Sequence, residues 1–288
     1  MSSSSMSSTA EDMVIQGGNL ARLNIDHIAA AVGAAATIRV APHALRLYRV
    51  AHSTQARTAA EALLTGVDYA YVPSGRKLSD FGLVAMDMDS TLITIECIDE
   101  IADMQGIKPQ VAAITESAMR GEIDFPESLR RRVALLEGLP ESALQRVYDE
   151  RLKLSSGAEA MLSRLKGLGI RTLLVSGGFT FFTERLKKRL GLDYTLSNTL
   201  EISGGKLTGK VVGDIVDAQA KAAKLREACD ELELRRDQAI ALGDGANDLA
   251  MMAEAGVSIA YHAKPVVREK ATYSFNHVGL DGLLNLYP

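Results

Sequence analysis

The chain has 288 residues, 47% of them apolar and 24% charged, with a net charge of −4 and both signs interspersed. Those values describe a water-soluble globular protein with one core and room for one or two small domains. They argue against nucleic acid as a partner, because no basic run and no base-stacking aromatic motif occurs. The longest apolar run, residues 28–38, is rich in Ala and Gly and too short to cross a bilayer, so no membrane is expected. Cys97 and Cys229 are the only cysteines, which makes no disulfide framework and fits a reducing cytosol. His27, His43, His52, His262 and His277 are scattered without zinc-ligand spacing.

The start, MSSSSMSSTAED, has no basic segment followed by an apolar one, so a secretory signal is not expected. Residues 1–18 read as a disordered tail. From 19 to 75 the expected order is α-β-β-α-β: a helix over 19–33, strands over 37–40 and 45–51, a helix over 54–64 and a strand over 67–72. This is a small α+β domain, and by its element order it resembles an ACT-like module. Packing or dimerisation is an equally good role for it, so a homodimer is one expected state. Pro73, Ser74 and Gly75 mark a linker.

Residues 84–93, VAMDMDSTLI, are the point around which the rest is organised. An apolar run suited to a buried strand ends in Asp87 and Asp89. Residues two apart on an extended chain share a side, so both carboxylates are expected in one small volume. Two like charges that close call for a cation between them. Asp89 or Ser90 as a plain helix cap is the competing reading.

The next core strand, over 170–175, lies too far along for a simple crossover of roughly 30 residues. Helical patterns over 96–104, 109–120, 125–136 and 140–152 fill the gap. Residues 93–155 therefore read as a helical cap inserted into a core made of 76–92 and 156–288. Ser176-Gly177-Gly178 is expected as a tight turn into a helix over 180–190, able to offer a hydroxyl and N–H groups to an anion. A hairpin over 193–213 follows, then a helix over 218–232 with Lys221 near its start. A strand over 238–242 runs into GDGAND, which carries Asp244, Asn247 and Asp248, and a helix over 249–255. The fold class is α/β: a doubly wound, mostly parallel, Rossmann-like sheet with an inserted helical cap and a small α+β N-terminal domain. In open sheets of this kind, ligands bind at the carboxyl ends of the strands.

DMDST, SGG, a lysine at a helix start and GDGAND thus fall on successive strand ends. Their order and spacing strongly resemble the haloacid dehalogenase superfamily of phosphohydrolases, over about residues 83–288. The stretches IECIDE, AMRGEIDFPESLRRRV and DAQAKA are similar to the branch of that family that acts on O-phosphoserine. The resemblance implies a Mg²⁺-dependent hydrolase performing the last step of serine biosynthesis. Asp87 would be the nucleophile and Asp89 the general acid and base. Asp87, Asp244 and the Asp89 carbonyl would hold Mg²⁺, with Asp248 behind them. Ser176, Gly177, Asn247 and Lys221 would hold the phosphoryl group. Glu96 would pair with the substrate ammonium and Arg132 with its carboxylate. By spacing alone Arg132 is one of three arginines on a solvated helix face; the resemblance reverses that. Met119 and Phe125 resemble the apolar lining, and Cys97 reads as a small buried hydrophobe. Two further readings stand beside this one: a same-fold phosphatase or phosphotransferase for another small phosphomonoester, and a non-catalytic amino-acid sensor.

Overall fold

The computed structural model describes residues 10–288. Of the stretch expected as a disordered tail, residues 1–9 lie outside the described residues. The remainder corrects the expectation: Glu11–Gln16 form strand β1. The reason is its place. β1 is an inner strand, and Asp12 to Gln16 are all buried. A strand covered on both faces lacks in–out alternation, so so short a one leaves little pattern to read.

α1 (Ile25–Ala31), β2 (Ala36–Ala41), β3 (Ala44–Val50), α2 (Thr54–Glu61) and β4 (Asp68–Pro73) complete a βαββαβ unit. The expected first helix is shorter than 19–33, because Asn24 caps α1 through the His27 N–H. Its antiparallel sheet has the order β2-β3-β1-β4. Both helices pack on one face through Met13, Ile15, Ile28, Leu47 and Ala60. The other face is joined to the rest of the chain by buried polar groups. Arg46 pairs with Asp12 at 3.0 Å and donates to the Asn285 and Leu286 carbonyls at 3.1 and 2.6 Å. Asp68, 3% exposed, accepts from the N–H groups of Asn276, His277 and Val278 at 2.8, 2.8 and 3.1 Å. Asp68→Ala strands three donors at a buried seam. It should lower the unfolding free energy by about 3 kcal/mol, read from the urea midpoint. An unchanged midpoint would show that water replaces the carboxylate there.

The second sheet has seven strands in the order β11-β10-β9-β5-β6-β7-β8. β5 (Leu83–Asp87) is central and wholly buried, hence its unbroken apolar run. Four helices follow it: α3 (Cys97–Met104), α4 (Lys108–Met119), α5 (Phe125–Ala134) and α6 (Ser142–Glu150). The chain then returns through α7 (Ala158–Gly167) to β6 (Arg171–Phe179) and α8 (Thr180–Leu190). β7 (Tyr194–Ser203) and β8 (Lys206–Val212) form the hairpin, followed by α9 (Ala218–Glu231) and β9 (Ala239–Gly243). α10 (Leu249–Glu254), β10 (Val257–Tyr261), α11 (Pro265–Arg268), β11 (Tyr273–Phe275) and α12 (Leu283–Leu286) end the chain. All pairings are parallel except β7 with β8. The chain leaves β5 for β6 on one side and reaches β9 on the other. The β5 end is therefore a switch point, where such sheets leave a crevice.

Ser176-Gly177-Gly178 departs from the expected turn. The strand continues through it to Phe179, and the pairing with β7 shifts register between Val175 and Phe179. Two glycines let the backbone leave the ladder without ending the strand.

The segment holding α3–α6 is tied down at both ends. Its two connections pair as a bridge, Ile93 with Leu154. Gly138 and Glu141 N–H donate to the Leu207 and Gly205 carbonyls at 2.8 and 2.9 Å, fixing it to the β7–β8 hairpin. None of the described helices is long and apolar enough to cross a membrane.

Candidate active site

Asp87 ends β5, and the chain turns at once. Asp89 keeps extended dihedrals, while Ser90 adopts φ 56°, ψ 5°. A non-glycine residue there is uncommon and costs on the order of 1–3 kcal/mol. The turn aims the Ser90 hydroxyl at Glu96 Oε1, 2.7 Å away, and brings the Cys97 N–H to Asp89 Oδ1 at 3.3 Å. Asp89 thus accepts from the first N–H of α3, a helix terminus that favours negative charge. Cys97 itself is fully buried, as expected.

Asp87, Asp89, Glu96, Ser176, Gly177, Asp244, Asn247, Phe125 and Arg132 line one cavity of about 120 Å³. Residues far apart in sequence therefore share one small space. Lys221 and Asp248 stand behind it. Lys221, 1% exposed, donates to Asp87 Oδ1 and Asp248 Oδ1, both at 2.8 Å. Asp248 spends its other oxygen on the Asp244 and Gly245 N–H groups at 3.2 and 3.0 Å. One carboxylate so shapes the GDGAND loop and holds the lysine. Thr91 donates to Asp244 Oδ1 at 2.8 Å. Met119 does not line the cavity; it is 68% exposed at the end of α4. Phe125 does, and its ring lies so near Gly177 that a Cβ there would come within 2.9 Å of it.

Asp87, Asp244 and Asp248 each offer an oxygen within 4.8 Å of the others. Such crowding perturbs titration. Burial, then the Asp248 charge, hold the Asp87 carboxyl well above its usual range, and Lys221 pulls the other way. Burial and Asp248 push Asp244 up to about 6, opposed by the Thr91 hydrogen bond. Burial and Glu96 push Asp89 up to about 7. Burial alone would lower Lys221; its two carboxylate partners outweigh that and raise it, so it stays charged. Half-buried Arg132 is held below the usual guanidinium range by burial, with Asp99, Glu96 and Asp89 opposing. Among the described residues it has no carboxylate within 4 Å.

Two positioning residues were not among the expected site residues, Thr91 and Asn198. No sequence signal marked Asn198, because it stands among Thr195, Ser197 and Thr199 on a largely polar strand.

The arrangement can attack an electrophile with Asp87, move a proton with Asp89 and bind an anion between Ser176, Gly177 and Lys221. The family model described as haloacid dehalogenase-like hydrolase matches residues 84–253. A phosphoserine phosphatase of Polaromonas sp. is 58% identical over 215 residues, covering 73% of this chain and 91% of its own. The crystal structure of a probable phosphoserine phosphatase from Vibrio cholerae, unliganded, superposes with a TM-score of 0.81 at 38% identity, covering 96% of this chain and 86% of that one. A substrate-bound phosphoserine phosphatase complex gives 0.68 at 38% identity, over 72% of this chain and 99% of that one. Because the residues matched by the family model include both strand ends that meet in the carboxylate cluster, the chain belongs to the haloacid dehalogenase-like hydrolases.

Proposed function

We propose that the protein hydrolyses O-phospho-L-serine to L-serine and phosphate through an aspartyl-phosphate on Asp87. The observation that carries this is one cavity joining the Asp87 cluster to two recognition groups of opposite charge, Glu96 and Arg132. Arg132 is free of a carboxylate partner within 4 Å among the described residues, which suits it to take the substrate's own.

In this reading Asp87 Oδ attacks phosphorus on the side away from the seryl oxygen. The phosphorus–oxygen bond breaks, its electron pair stays on the seryl oxygen, and protonated Asp89 supplies the proton. An Asp89 pushed up to about 7 holds that proton near neutrality. Now ionised, Asp89 takes a proton from water, whose oxygen displaces Asp87 from phosphorus and frees phosphate. Ser176 Oγ already accepts from the Gly178 N–H at 2.8 Å, so its own proton is available to a phosphoryl oxygen. Gly177 N–H and Asn247 would complete that grip, and Lys221 would balance the charge shared by Asp87 and phosphate.

Three carboxylates within 4.8 Å exceed what Lys221 offsets, the cation paired with Asp87 and Asp248 among the described residues, and all their donors are hard oxygens. That set fits Mg²⁺. Asp87, Asp244 and the Asp89 carbonyl would hold it, with Asp248 supporting from behind. Bound there, the ion supplies positive charge against the phosphate dianion.

We read residues 93–155 as a cap over a core of 76–92 and 156–288, a division supported by the Ile93–Leu154 bridge at its base. A cytosolic setting is supported by two buried free cysteines. A homodimer is supported by the outer strand β2, where Ile38 is 52% exposed. Another small phosphomonoester is the alternative substrate; a non-catalytic sensor would have no use for both Asp87 and Asp89.

The test is phosphate release from O-phosphoserine after chelation and again after Mg²⁺ is restored. Turnover should vanish and return. No release with Mg²⁺ present would refute the substrate, and release that survives chelation would refute the metal.

A further inference from the structure

The mechanism above leaves one buried polar side chain near the phosphate loop unused. Asn198, on β7, is 1% exposed. Its amide reaches two different segments. Nδ2 donates to the Gly177 carbonyl at 2.8 Å, and Oδ1 accepts from the Val216 N–H at 2.8 Å. Neither partner belongs to a regular ladder. Gly177 lies where β6 loses register with β7, and Val216 lies just before Asp217, the N-cap of α9.

We infer that Asn198 is a positioning residue that sets the Ser176 hydroxyl and the start of the lysine-bearing helix together. The inference rests on the proposed role of Ser176 as a phosphoryl donor. The peptide joining Gly177 and Gly178 has its carbonyl held by Asn198, and its N–H donates to Ser176 Oγ at 2.8 Å. Hydrogen bonds in such a chain polarise one another. With its acceptor lone pair occupied by Gly178, Ser176 is left to point its proton into the cavity. Without Asn198, the glycine pair has no ladder partner to keep that peptide plane from turning, and glycine resists turning least. On the other side, Val216 is followed by Asp217, whose side chain caps α9 through the Ala220 N–H at 2.8 Å. The Lys221 N–H donates to the Asp217 carbonyl at 3.0 Å. One amide therefore fixes both the group that grips phosphate and the helix whose lysine touches Asp87.

The residue type follows from this geometry. One side chain must donate at one end and accept at the other in a buried site, which Asp and Leu of similar size cannot do. Only tertiary contact supplies the two partners, 21 residues before and 18 after Asn198.

A double-substitution cycle tests it: Asn198→Ala, Ser176→Ala and both together, with kcat/KM measured on an aryl phosphate and on O-phosphoserine. The aryl phosphate keeps the cycle readable if the serine assignment is wrong. Asn198→Ala should lower kcat/KM about 10- to 100-fold, the usual effect of losing a supporting hydrogen bond behind a reactive group. In the Ser176→Ala background most of that loss should vanish, because the group being aimed is already gone. Losses that multiply independently would show that Asn198 does not act through Ser176 and overturn the inference, as would a change under about twofold for Asn198→Ala alone. Should Asn198→Ala fail to fold, Asn198→Asp keeps the Val216 bond and loses the Gly177 one, and the same cycle is read on it. A Ser176→Ala enzyme as active as the original would overturn the phosphoryl-donor role of Ser176, and the aiming of it too.

Discussion

Asp87→Asn should abolish turnover while leaving the protein as stable as before or more so. The loss should reach about four orders of magnitude or more, because the attacking oxygen is removed, not merely moved. Retention of a beryllium fluoride that mimics the phosphoryl group should vanish as well. Stability moves the other way for an electrostatic reason. Asp87 is held well above its usual range by burial and by Asp248, with Lys221 opposing. A carboxyl raised in the folded state destabilises the fold at a pH where it is ionised. Asparagine keeps the shape and drops that charge, and Lys221 keeps Asp248 at 2.8 Å. The thermal midpoint, measured in chelator, should therefore be equal or higher, as is common when an active site trades stability for reactivity. Activity near that of the unchanged enzyme would refute covalent catalysis by Asp87. A clearly lower midpoint would mean that the Asp87–Lys221 contact holds the fold together more than it strains it.

Arg132→Ala should act on specificity instead. Arg132, on α5, and Glu96, just before α3, line the cavity away from the strand ends that carry Asp87 and Asp244. Losing a desolvated charged contact with one partner left unpaired costs roughly 2–5 kcal/mol. At 1.4 kcal/mol per decade, kcat/KM for O-phosphoserine should fall by about one to three orders. An aryl phosphate has neither ammonium nor carboxylate, so its turnover should change little. Arg132→Lys should recover only part of the loss, since an ammonium cannot match the planar fork. Equal falls for both substrates would place Arg132 in support of the chemistry or the fold. No fall for either would point to a different phosphomonoester.

Much of this site could be read from the chain alone, and the reason is local. Asp87 and Asp89 follow an apolar run that only a buried strand explains, and the GDGAND loop follows another. Strand identity there depends on near neighbours, so the strand ends were legible. Helices α3 to α6 were legible too, because amphipathic periodicity and punctuating Gly and Pro are local signals. β1 was not: its buried Asp12 and Gln16 are satisfied by residues distant in sequence, Asp12 by Arg46 on β3 and Gln16 by Asn285 on α12, and such partners leave no mark nearby. Nor was the continuation of β6 through Ser176 to Phe179, since glycines read as a turn until a neighbouring strand is known to hold them. Met119 ends α4 and Phe125 begins α5, both apolar, yet one is exposed and the other lies against Gly177. The sequence by itself determined which residues could do chemistry and on which strand ends they fall. Tertiary structure decided which of them meet, because bringing Lys221 to Asp87, or Asn198 to Gly177, depends on how helices and sheet close over one another, and no window of sequence contains both ends of such a contact.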